Sequence, residues 1–152
     1  MAGRNRARQA YDAAGDYLSR SGRLEEEVRC KLQYLRSLRD ATPGGLQMDK
    51  VQPGEPNDPT LHRVVKMEEL REDIEALYAQ IEKAQRDSAH LIAALPDARM
   101  RMLLEMRYLS GFKWDVIAQN MFITPRSVLR LHQRALKTVH ALLAERRSKY
   151  LP

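Results

Sequence analysis

Arg126, Arg130, Arg134 and Lys137 follow one another at intervals of four, four and three residues near the end of the chain. A guanidinium presents a planar fork of N–H donors that matches a phosphate or the O6 and N7 edge of guanine, and an ammonium is a point charge suited to phosphate alone. The intervals place all four on one side of a helix. With Val128 at the origin of a helical wheel they fall between about 160° and 240°, while Leu131, Ala135, Val139 and Leu142 fall between about 300° and 20°. No acidic residue lies between Arg126 and Lys137. A merely solvated helix face mixes both signs, since opposite charges one turn apart stabilise it. The strip therefore has the form of a surface made for a polyanion. Arg126 and Arg130 are the expected base readers, with Ser127 and Gln133 as weaker base contacts. Thr124, Lys113, Arg134 and Lys137 are expected to hold phosphates, which sets register without reading sequence. His132 falls near 40° on the wheel, on the apolar side, and is expected as a packed histidine. Trp114 is expected to pack between helices.

The rest of the chain accords with a localised basic surface. Its 152 residues carry a formal charge of +6, and residues 96–152 alone hold 11 Lys/Arg against 4 Asp/Glu. A basic domain in a chain whose other parts nearly balance is the electrostatic footprint of a nucleic-acid binder. Chemistry of other kinds finds little footing. The single cysteine, Cys30, forms no internal bridge, and His62, His90, His132 and His140 lack metal-ligand spacing. No Gly-rich phosphate loop or nucleophile motif is present, so neither catalysis nor a cofactor is expected. No run approaches the ~20 apolar residues that span a bilayer. A cytoplasmic setting is expected.

What positions the strip is predicted to be all-α: a long helical hairpin or coiled coil followed by a C-terminal helix-turn-helix domain. Residues 1–22 read as a flexible basic arm, with Arg4, Arg6 and Arg8 and little apolar material. Residues 23–40 form a first helix, with Leu24, Val28, Leu32, Leu35 and Leu38 on its apolar side and Glu25, Glu26 and Glu27 in its first turn. Residues 41–59 hold three glycines and four prolines and read as a linker. Residues 60–95 form the most regular segment. Met67, Leu70, Ile74, Leu77, Ile81, Ala84, Ser88, Leu91 and Leu95 alternate at three and four residues, an unbroken heptad seam. That helix would be roughly 50 Å long. A first helix starting near residue 24 covers about half of it, so the remainder is expected to pair with a second copy, making a homodimer.

Residues 96–152 divide further. Pro96-Asp97 opens a helix that Ser110-Gly111 ends. A short helix from Trp114 to about Met121 follows, with Val116, Ile117, Ala118 and Met121 as its apolar positions. Thr124 caps the last helix and Pro125 takes its first turn, where a missing N–H is harmless. Two helices joined by a tight turn, the second well capped, make the helix-turn-helix arrangement.

The stretch from Leu95-Pro96 through Arg107-Tyr108-Leu109, Trp114-Asp115, Ile117-Ala118 and Ser127-Val128 to Arg130-Leu131-His132 and Ala135-Leu136 resembles region four of bacterial sigma factors. It more closely resembles the small phage-encoded, sigma-like regulators of the RinA and ArpU type. The likeness covers most of residues 24–145 and is most specific over 95–136. It implies a phage or prophage protein of the bacterial cytoplasm that binds promoter DNA and controls late genes such as packaging and lysis. The helix from Thr124 to about Lys137 would then enter the major groove, and part of the domain would meet RNA polymerase. Phe122 departs from the helix-turn-helix pattern, which often has glycine there to allow a positive φ. Two other readings stay open at this point. One is a small terminase subunit that recognises packaging sites, the other a coiled-coil adaptor for proteins.

Overall fold

A computed structural model of the chain describes residues 2–41 and 58–150. The described chain is all-α. Two long helices, α1 (Ala2–Asp40) and α2 (Pro59–Ala93), pack as a hairpin. Three shorter ones follow: α3 (Ala98–Leu104), α4 (Trp114–Met121) and α5 (Pro125–Tyr150). A π-helical turn, Glu105–Leu109, continues α3. The Gly/Pro-rich linker expected at 41–59 lies outside the described residues except at its two ends. None of the described helices is long and apolar enough to cross a membrane.

The chain forms two compact units. The smaller comprises residues 23–82, the distal halves of α1 and α2. Met67, Leu70, Ile74, Leu77 and Ile81 of the seam are buried there against Val28 and Leu35, with Leu24 and Leu38 at the margin. Lys31 Nζ lies 3.3 Å from an oxygen of Asp73, and an Arg63 N–H donates to the Ala41 carbonyl at 3.1 Å.

The larger unit takes residues 1–22 together with 83–152. Its core joins Ala14 and Leu18 of α1, Leu91 and Ile92 of α2, and Leu95. To these α3 adds Met100, Leu103 and Leu104, α4 adds Ile117 and Ala118, and α5 adds Val128, Ala135, Leu136 and Val139. Arg20 crosses to α2, 3.4 Å from an oxygen of Asp87, and its guanidinium lies over the Tyr17 ring at 3.7 Å.

Two expectations change here. Residues 1–22 are not a flexible arm, since α1 is 39 residues long and begins at Ala2. Ala14, Leu18 and Ser21 are buried, so the segment is ordered by packing rather than left loose. Glu25, Glu26 and Glu27 accordingly sit in the middle of a helix, and their supposed role in a first turn lapses. The second change follows from the first. An α1 of 39 residues matches the 35 of α2, and every seam residue from Met67 to Leu95 is buried within one chain. The length deficit that called for a second copy does not exist.

Asp97 caps α3, its carboxylate accepting N–H bonds from Arg99 at 2.8 Å and Met100 at 3.2 Å. Gly111, at φ 72°, turns the chain after the π turn. Val116, expected on the apolar side of α4, is instead exposed, while Ile117 and Ala118 are buried.

Candidate nucleic-acid interface

The helix that carries the basic strip is fixed from below. Val128, Ala135 and Val139 are fully buried and Leu136 nearly so, which commits that side of α5 to the core. Thr124 secures the helix start. Its Oγ1 accepts the Ser127 N–H at 3.2 Å, and its hydroxyl donates to Ser127 Oγ at 2.9 Å. This is the capping bond that satisfies one of the unpaired N–H groups of a first turn. The two hydroxyls expected to touch DNA are thus tied to each other.

Arg126, Arg130, Arg134 and Lys137 are all exposed, as are Ser127 and Gln133. Among the described residues no carboxylate pairs with any of the four cations. Elsewhere in the chain cations do find partners, as Lys66 does with Glu69 at 3.6 Å and Arg71 with Glu68 at 3.3 Å. The strip is thus a row of unneutralised charge, held outward by a buried opposite side. Lys113 stands apart from it, exposed, at the residue before α4.

Behind the strip lies an aromatic arrangement that sequence reasoning did not assemble. Tyr108 Oη is 2.7 Å from His132 Nε2, and their rings stack with centroids 5.9 Å apart. Trp114 meets the same imidazole edge-on at 4.6 Å, and the Arg107 guanidinium covers Trp114 at 4.4 Å while donating to the Phe112 carbonyl at 3.0 Å. Burial pushes the His132 pKa down to about 4, and the Arg107 cation lowers it further. The same burial raises the Tyr108 phenol, an effect Arg107 partly opposes. A neutral imidazole in this stack locks the middle of α5 to the π turn and to α4. The wheel position of His132 pointed to packing; nothing in the sequence pointed to its partner Tyr108, because the π turn shifts that residue off α-helical register.

The turn between α4 and α5 contains a second feature. Phe122 has φ 56° and ψ 40°, the left-handed region, and is 93% exposed. The Ile123 N–H donates to the Ala118 carbonyl at 3.1 Å and the Phe122 N–H to that of Gln119 at 3.2 Å. This pair of bonds is the Schellman ending of a helix, whose left-handed residue is ordinarily glycine. Phe122, Ile123, Thr124 and Pro125 line a shallow open groove with Asp115, Ala118 and Gln119.

Among the described residues no group of three or more His, Cys, Asp or Glu side chains could hold a metal ion. Comparisons of the chain with family models, with curated proteins and with solved structures each found no match.

Proposed function

We propose that the protein is a sequence-specific, double-stranded DNA-binding transcription regulator. In this reading α4 and α5 act as a helix-turn-helix with α5 in the major groove. The observation that carries it is the exposed, unpaired row Arg126, Arg130, Arg134 and Lys137 on a helix whose other side is buried. Unpaired surface cations in a row are favourable chiefly when phosphates neutralise them and counterions leave. Arg126 and Arg130, nearest the start of α5, read base edges, since the first turns of a recognition helix lie deepest in the groove. Arg134 and Lys137 hold the backbone.

The resemblance to sigma region four and to RinA- and ArpU-type regulators supplies the biological setting: late genes of a phage or prophage in a bacterial cytoplasm, with RNA polymerase as a second partner. Closure of the heptad seam inside one chain favours this reading over a ring-forming packaging protein or a coiled-coil adaptor. Both of those need the seam free for other chains.

Titration of duplex binding against salt is the test. With four phosphate-directed cations the logarithm of the affinity should fall with the logarithm of salt at a slope of roughly −3 to −4. Lys137→Ala should reduce that slope by about one and weaken all duplexes alike, whereas Arg130→Ala should also relax preference among sequences. Absence of duplex binding at low salt would end the proposal.

A further inference from the structure

We infer that Phe122 is a DNA contact, its ring meeting the apolar face of a nucleotide, a thymine methyl with its deoxyribose, at the edge of the site that α5 occupies. The inference rests on the DNA-binding reading above and adds to it a residue that carries no charge. Two features of Phe122 oppose the stability of the chain. A bulky side chain at φ 56° is strained where glycine would not be. A phenyl ring 93% exposed gives up the burial that makes the residue useful in a fold. No contact inside the chain offsets either, and the helix-ending bonds at this turn are backbone bonds that glycine would make equally well.

The position narrows the partner. Phe122 precedes the capping Thr124 by two residues, and Pro125 and Arg126 beyond it are exposed, so the ring stands beside the end of α5 that leads into a groove. Its neighbours Gln119, Asn120 and Thr124 are polar or exposed. Protein-docking surfaces surround an aromatic anchor with a broad patch, and none surrounds this ring. A single apolar group amid polar ones suits duplex DNA, whose major groove offers one prominent apolar feature, the C5-methyl of thymine.

The experiment uses the full chain and a duplex selected by it from a random-sequence duplex library. Wild type and Phe122→Gly are compared by fluorescence anisotropy and by thermal denaturation. Each thymine of the selected duplex is then replaced in turn by uracil, which removes only the methyl. We expect Phe122→Gly to melt higher yet bind about four-fold or more weakly, the effect of one methylene-sized apolar contact. One thymine-to-uracil change should weaken wild type by a similar factor and leave the variant unaffected. Equal affinity of the two proteins for the selected duplex, the result if the ring docks on a protein instead, overturns the inference while leaving the DNA-binding reading intact. A variant that both melts lower and binds less overturns it too, since the ring would then be structural. If wild type selects no duplex at all, the function itself has failed and the inference falls with it.

Discussion

At the scale of single residues, the arrangement around His132 carries a definite pH signature. Its folded pKa of about 4 lies below the ordinary 6.5, so the folded state favours the neutral ring. Protonation therefore favours unfolding. The contribution of the neutral ring is complete above pH 6.5 and is lost as pH falls toward 4. Below that it changes no further. Urea midpoints measured across this window should fall with acidity, and His132→Phe should flatten the upper part of the slope, where ordinary carboxylates do not titrate. An unchanged slope in the variant would show that the imidazole is not held neutral. The sequence disclosed which side of α5 this residue faces. The stack it joins was not legible, because Arg107 and Tyr108 reach it from a π turn that no spacing rule anticipates.

At the scale of elements, α1 shows how small residues hide a helix. Ala14, Ser21, Val28 and Leu35 are buried at intervals of seven, yet the first two are too small and too weakly apolar to declare a seam beside Arg4, Arg6 and Arg8. The half of α1 bearing Val28 and Leu35 was legible; the half bearing Ala14 and Ser21 was not. Leu18, 1% exposed, provides the test. Leu18→Ala should destabilise the protein by about 2–5 kcal/mol by thermal or urea denaturation. A flexible arm would have shown no change. By contrast, the turn between α4 and α5 was readable to the residue, since Thr124-Pro125 is a strong local signal whose physics does not depend on distant packing.

At the scale of the whole molecule, a seam closed within one chain separates folding from association. If Leu70 and Ile74 met a second copy, the melting midpoint would rise with protein concentration. Both are buried by the chain itself, so the midpoint should stay constant over a hundred-fold concentration range, about the span in which an obligate dimer betrays itself. Sedimentation of the full chain checks the same point. What the sequence conveyed correctly here was the register of the seam, because heptads are a property of one helix. What covers a seam is a property of another segment, and that segment began 22 residues earlier than its apolar pattern suggested.

The π turn from Glu105 to Leu109 also bears on how such a chain can vary. A wider turn accommodates one more residue than an α-helix would over the same rise. Removing a single residue there would restore α-helical winding and swing everything after it by about 100°. Tyr108 would leave His132, and Ile117 and Ala118 would be carried away from the interior. Side-chain exchanges at this spot alter one contact at a time; a codon lost there re-aims the whole tail end of the protein.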